Sequence, residues 1–248
     1  MKFIRHLFSV LWGYYYFIIF ILFFFLLYPA FLFLLYKEQN YIKANKLRAF
    51  WAHCVFLFTG LRYHIDYRYK PKKNKSYIVC PNHFSYLDIP TVVLIGIFNY
   101  RFMAKVELNN IPIFNIFFKT IDIPVDRGNK SAAYKAIKQA EESIDRNLSL
   151  IIFPEGTIGA HQPHLLRFKN GPFKLAIEKQ TPILPVTFVD NWNHLYVDEK
   201  IYGKPGLLRI VVHEPIETTG LTIDDIETLK EKTYNVMHAE LSRHWNMK

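Results

Sequence analysis

The chain has 248 residues, 51% apolar and 21% charged, which is enough apolar material for a packed core and excludes a disordered or fibrous protein. Two cysteines, Cys54 and Cys80, exclude a disulfide framework or a cysteine-based zinc site, and no metal is expected. The net charge of +10 points to anionic partners: nucleic acid, an acidic membrane surface or a phosphorylated substrate.

Fifteen of the 42 aromatic residues fall in the first 36 positions, and Leu7–Tyr36 is a run of 30 residues without a charge. A signal peptide's apolar stretch covers about 7–15 residues and closes on small residues, so this run reads as a retained membrane anchor. As a helix, Leu7–Tyr28 spans about 33 Å at about 1.5 Å per residue, enough to cross the hydrocarbon core. Pro29 allows one kinked span, or two shorter helices that dip into one leaflet and return. Lys2 and Arg5 precede the run, and Lys37, Lys43, Lys46 and Arg48 follow it. The larger basic cluster places the downstream chain on the cytoplasmic face of the cell membrane. Residues 40–60 then show helical spacing, with Ala44, Leu47, Phe50, Trp51, Cys54, Val55 and Phe58 as the apolar positions, Lys43, Lys46 and Arg48 on the other side, and Gly60 as a stop. Residues 1–61 are thus expected to anchor the protein.

Between Arg62 and Lys75 six basic residues stand against Asp66, either as a solvated edge or as a contact for anionic headgroups. Beyond it, short apolar runs alternate with helical patterns. Strands are predicted near 63–69, 77–80, 101–104, 121–125, 148–153, 183–189 and 208–213. Helices are predicted near 88–98, 112–118, 131–146, 172–179 and 223–245, the last opened by the capping box Thr222-x-x-Asp225. This alternation defines an α/β domain over 62–248, with a mixed, largely parallel sheet of about seven strands flanked by helices.

Two strand ends carry chemistry. The first reads Asn82-His83-Phe84-Ser85-Tyr86-Leu87-Asp88. If the loop folds back, Asp88 can fix the imidazole tautomer of His83 and stabilise the imidazolium, the orienting role of an aspartate in a hydrolase triad. Alternatively, Ser85-x-x-Asp88 is only a capping box and Asn82 only a turn residue. The second end reads Phe153-Pro154-Glu155-Gly156-Thr157, either an anion-binding nest of backbone N–H groups or a plain turn.

Together these stretches resemble the glycerolipid acyltransferases, specifically the 1-acyl-sn-glycerol-3-phosphate acyltransferases. The NHxxxxD motif is matched by Asn82, His83 and Asp88, with Ser85 also in place, and the FPEGTR motif by residues 153–157. Further matches are Ala104-Lys105-x-Glu107-Leu108, Val125-Asp126-Arg127, Phe168-Lys169-x-Gly171 and Leu184-Pro185-Val186, and they extend the likeness over about residues 62–213. Two positions depart from the pattern: Ile158 stands where the arginine closes FPEGTR, and Ile121 stands where a glycine opens the second motif. Arg127, Lys105, Arg167 or Lys169 could supply the missing cation.

The resemblance implies a membrane-bound enzyme that moves an acyl group from a thioester to the sn-2 hydroxyl of 1-acyl-sn-glycerol-3-phosphate (lysophosphatidic acid), giving phosphatidic acid. His83 and Asp88 would be catalytic. Asn82, Ser85, Lys105, Arg127, Glu155, Gly156, Thr157 and Lys169 would serve substrate binding, with Glu155 orienting a cation or the glycerol hydroxyls. No bound cofactor is implied; the thioester of coenzyme A or acyl carrier protein is the co-substrate. Independently of the family, the chain has no G-x-S-x-G elbow and no P-loop, so direct attack with one histidine as general base is the simplest chemistry. The alternatives are another lysolipid acceptor or a catalytically silent membrane scaffold. Nucleic acid is not an expected partner, since the basic residues are scattered and no nucleic-acid module is present.

Overall fold

The computed structural model describes residues 2–126, 128–159 and 162–245. Helix α1 (Lys2–Leu35) is continuous and carries Pro29 inside it. The chain reverses at the polar segment 36–40 rather than at the proline, and α2 (Tyr41–Thr59) returns along α1 to stop at Gly60, φ 72°. The two helices are stitched by indole N–H groups: Trp12 Nε1 donates to Thr59 O and Trp51 Nε1 to Phe20 O, each at 3.1 Å.

The helices do not stand apart from the domain. Phe24, Phe31 and Trp51 share one apolar core with Leu61, Leu87, Phe117, Ile121 and Leu208. Arg48, placed by its charge on the polar side of α2, is instead buried. It forms a two-pronged ion pair with Asp122 (3.1 and 2.7 Å) and lies 4.2 Å from the Phe117 ring centre. It is therefore not available to the basic cluster that would set membrane orientation, whereas Lys37, Lys43 and Lys46 remain exposed.

The seven predicted strands are present: β1 (Leu61–Tyr67), β2 (Ile78–Pro81), β3 (Tyr100–Lys105), β4 (Ile123–Val125), β5 (Ser149–Ile151), β6 (Ile183–Phe188) and β9 (Gly206–Val212), in the order β1-β9-β6-β2-β5-β3-β4. All neighbours are parallel except β6 and β9. The central strands are covered on both faces, which is why they read as continuous apolar runs. Ile78 and Cys80 of β2 pack with α4 (Lys130–Asp145), α5 (Gly171–Glu178) and α7 (Ile226–His244), while Tyr77 and Val79 point to the face under α2 and α3 (Asp88–Val92).

Three segments differ from expectation. The helix predicted over 88–98 ends at Val92, with a turn closing on Gly96 (φ 82°). Residues 112–118 hold one 3₁₀ turn, Phe114–Ile116, because Ile113 sits at φ 69°. A short helix, α6 (Asn191–His194), and a hairpin, β7 (Leu195–Val197) with β8 (Ile201–Gly203), were not foreseen. That hairpin rests on α1, where Gly203 N donates to Ser9 Oγ at 3.1 Å.

Candidate active site

Strands β2 and β5 are adjacent and parallel, with Val79 opposite Ile151, so the loops that follow them emerge side by side at the carboxyl edge of the sheet. His83 and Phe153 consequently meet, and their rings stack with centres 4.1 Å apart. The loop after β2 folds back as the catalytic alternative requires: His83 Nδ1 lies 3.0 Å from Asp88 Oδ2. The same oxygen accepts from the backbone N–H of Phe84 (2.6 Å) and Ser85 (2.8 Å). Capping and imidazole orientation are therefore one device: the carboxylate winds the loop around itself, and the winding delivers His83. A carboxylate in this position accepts, so Nδ1 carries the ring proton and Nε2 the lone pair. Asp88 is fully buried, and its other oxygen accepts from Asn191 Nδ2 at 2.8 Å.

Glu155 secures the second loop to the first. Its Oε1 accepts from His83 N (2.7 Å) and its Oε2 from Leu166 N (2.8 Å). Burial pushes its carboxyl up to about 8, against the opposing pull of those two N–H groups. With both oxygens engaged by backbone and the side chain buried, Glu155 orients the loops and not a cation or a substrate hydroxyl.

A cavity of about 390 Å³ opens beside His83. Its walls are mostly apolar, from Phe102 and Phe153 in the domain to Phe20 and Trp51 of the N-terminal helices and Phe114 and Phe117 between them. Lys105, Glu107, Gly156, Thr157 and Ile158 line it as well.

The predicted site residues thus separate. His83, Lys105, Gly156 and Thr157 face the cavity, and Asp88 stands behind His83. Asn82 and Ser85 are corrected from substrate contacts to scaffold. The Asn82 side chain continues the β ladder, donating to Phe188 O (3.1 Å) and accepting from Phe188 N (2.7 Å). Ser85 Oγ donates to Leu195 O (2.6 Å) and accepts from Leu87 N. Lys169 is exposed and absent from the cavity wall, and Arg167 lines a different depression against α7, so of the four candidate cations Lys105 is the one described at the cavity. Arg127 lies outside the described residues. Sequence reasoning missed Asn191, 103 residues from Asp88 and without any motif, and the Arg48–Asp122 pair, whose partners are 74 residues apart.

An α/β sheet with an imidazole–carboxylate pair at its carboxyl edge and an apolar cavity beside it defines an acyl-transfer type of site. A family model described as Acyltransferase matches residues 62–189, and the chain belongs to that family. It is 33% identical over 71% of its length to an uncharacterized acyltransferase of Schizosaccharomyces pombe, and 31% identical over 64% of its length to a 1-acyl-sn-glycerol-3-phosphate acyltransferase of Haemophilus influenzae. The matched parts make up 66% and 62% of those proteins, just under two thirds of each. The fold is shared with the crystal structure of the 1-acyl-sn-glycerophosphate acyltransferase PlsC of Thermotoga maritima, with a TM-score of 0.75, 24% identity and coverage of 98% of this chain and 97% of that one.

Proposed function

We propose that the protein acylates the sn-2 hydroxyl of 1-acyl-sn-glycerol-3-phosphate from an acyl thioester, releasing the thiol and phosphatidic acid. The observation that carries this reading is His83 itself: Nδ1 is held by a buried carboxylate, which leaves Nε2 as the basic nitrogen of a ring that lines an apolar cavity. Nε2 takes the proton of the acceptor hydroxyl as its oxygen attacks the thioester carbonyl carbon. The tetrahedral intermediate collapses with cleavage of the C–S bond, and the imidazolium returns its proton to the leaving thiolate. Asp88 holds the ring and stabilises the imidazolium. The turn at Gly156–Ile158, beside His83 on the cavity wall, is where oxyanion donors belong, and Lys105 is the cation for the acceptor's phosphate.

The cavity, whose volume lies in the usual range of about 300–1,000 Å³ for small-molecule sites, suits an acyl chain, because its lining is aromatic and shared with α1 and α2. The apolar helix over Phe3–Leu35 keeps that opening at the lipid surface where acceptor and product reside. The exposed Lys37, Lys43 and Lys46 favour the cytoplasmic face of the cell membrane. The reversal at residues 36–40 supports a hairpin that enters one leaflet and returns.

The test is conversion of lysophosphatidic acid by the purified full chain in lipid nanodiscs, with acyl-CoA and acyl carrier protein thioesters supplied in separate reactions. Phosphatidic acid should form with wild type and at least about 100-fold more slowly with His83→Ala. Faster conversion of a lysolipid without the phosphomonoester would move the acceptor assignment. No conversion of any lysolipid with either donor would leave the scaffold reading.

A further inference from the structure

We propose that Asn191 is a positioning residue for the His83–Asp88 pair, holding the second carboxylate oxygen so that the first stays on the imidazole. Asp88 Oδ2 receives three donors, His83 Nδ1 and the N–H groups of Phe84 and Ser85. The hydrogen bond to Oδ1 comes from Asn191 Nδ2 at 2.8 Å, and that nitrogen also reaches Thr91 Oγ1 at 3.2 Å. A carboxylate gripped at one oxygen can still turn about its own axis; a donor on the other oxygen fixes its plane, and with it the direction in which His83 is held.

Asn191 is built for that task. Its side chain is fully buried, and its Oδ1 is buried with no partner among the described residues. The amide is therefore aimed by what it donates, since a buried polar atom is left unpaired to make this bond. The neighbouring residue is clamped from behind, because Asp190 accepts from Arg209 N (3.1 Å), Nε (2.6 Å) and Nη2 (2.5 Å). Asn191 opens α6, and the next element, β7, supplies the Leu195 carbonyl that receives Ser85 Oγ. One short segment after β6 thus grips the His83–Asp88 loop at Ser85 and at Asp88. The titratable and charged groups around His83 are Asp88 from α3, Glu155 from the loop after β5, and Lys105, Glu107, Tyr86 and the Arg48–Asp122 pair on the cavity wall. None of them changes in the variants below.

The kinetic part of the test rests on the acyl-transfer reading; the spectroscopic part does not. In Asn191→Leu the donor is lost at similar volume. kcat is expected to fall about 100-fold, the scale of a misplaced catalytic group, with KM for both substrates within twofold. In Asn191→Asp the new carboxyl faces that of Asp88, and the buried pair holds one proton between them. While that proton is present its O–H donates in place of the amide; once it leaves, two carboxylates repel beside the imidazole. Asn191→Asp should therefore approach wild-type kcat at acidic pH and show a descending limb, as pH rises, that wild type lacks. In ¹⁵N-histidine spectra of the full chain in nanodiscs, the His83 signals, assigned with His83→Ala, should report a fixed Nδ1–H tautomer in wild type and a shifted titration in Asn191→Leu.

Unchanged kcat per folded molecule and unmoved His83 signals in Asn191→Leu would overturn the proposal, even with a lowered melting temperature. If Asn191→Leu does not fold, absence of the descending limb in Asn191→Asp overturns it. An inactive wild type whose His83 signals still shift in Asn191→Leu would sink acyl transfer and uphold the positioning.

Discussion

Two acid–base pairs stand at the same cavity, and they are built on opposite principles. His83 and Asp88 share one hydrogen bond, and the carboxylate takes three more donors, two from the loop's own backbone and one from Asn191, so the imidazole retains a lone pair at Nε2. Arg48 and Asp122 face each other with two parallel hydrogen bonds; Arg48 also donates to Asn45 Oδ1, and Asp122 accepts from Phe102 N. The second pair saturates itself and joins α2 to the sheet edge; the first is left one valence short. Unspent hydrogen-bonding capacity on a fixed frame separates chemistry from architecture here, since both pairs are built on a carboxylate and both touch the cavity.

The largest expected effect breaks that contrast from the catalytic side. His83→Ala should lose turnover by about 10²–10⁴ with unfolding unchanged, the usual contribution of a positioned general base. Asp88→Asn should fall within the same range or below it, because an amide nitrogen must then face one of the N–H donors and the ring loses its fixed tautomer. Steady-state rates with parallel denaturation curves check both; a stability loss with normal turnover in Asp88→Asn would reduce Asp88 to a cap.

From the architectural side, Asp122→Ala strands a buried guanidinium and should cost about 3–5 kcal/mol. Replacing both partners, Arg48→Met with Asp122→Leu, should recover most of that loss, with kcat near wild type. Denaturant unfolding in detergent measures the cost. A double variant that is stable yet inactive would show that Arg48 belongs to the chemistry, and the two pairs would no longer differ in kind.

What was legible in the sequence follows the same division. The seven strands are short apolar runs bounded by turn residues, His83 and Asp88 are close in sequence and residues 153–157 are contiguous, so local spacing carries them. Arg48 reads as solvent-facing because only the fold brings Asp122 to it from β4's approach, and Asn191 has no local signal at all. The hairpin over 195–203 was hidden because its strands are three residues long and flank the charged Asp198-Glu199-Lys200. Asn82 and Ser85 sit in the motif, yet their side chains are spent on backbone; residue type and position could not distinguish a substrate contact from a ladder bond.

Glu155 sharpens the comparison, because it is a buried carboxyl with two backbone donors and no cationic partner among the described residues. In Glu155→Gln one of the two N–H groups, that of His83 or that of Leu166, faces an amide N–H instead of an oxygen. Turnover should fall about 100-fold through misplacement of His83, with a stability cost of about 1–3 kcal/mol for the unsatisfied donor. Retention of full activity would detach the second loop from the catalytic geometry.

Stability also depends on pH, with Glu155 and His213 opposing each other. Burial raises Glu155 to about 8, so its stabilising contribution is complete below the ordinary carboxylate range and is lost as pH rises through 8. His213 is pushed down to about 4, first by burial and then by Arg68, so its contribution is complete above the ordinary imidazole range near 6.5 and is lost as pH falls toward 4. Each group alone gives a slope of about 1.4 kcal/mol per pH unit. Between about 4.5 and 6.5 the two slopes cancel, and between about 6.5 and 8 Glu155 acts alone. The difference in unfolding free energy between wild type and Glu155→Gln isolates the first group: wild type should gain on the variant steadily as pH falls from 8 to 4.5. The same difference for His213→Gln isolates the second: wild type should lose ground to that variant as pH falls from 6.5 to 4. A pH-independent difference for Glu155→Gln would mean that the two backbone N–H groups outweigh burial and keep Glu155 charged throughout, which would make it a second saturated anchor like Asp122.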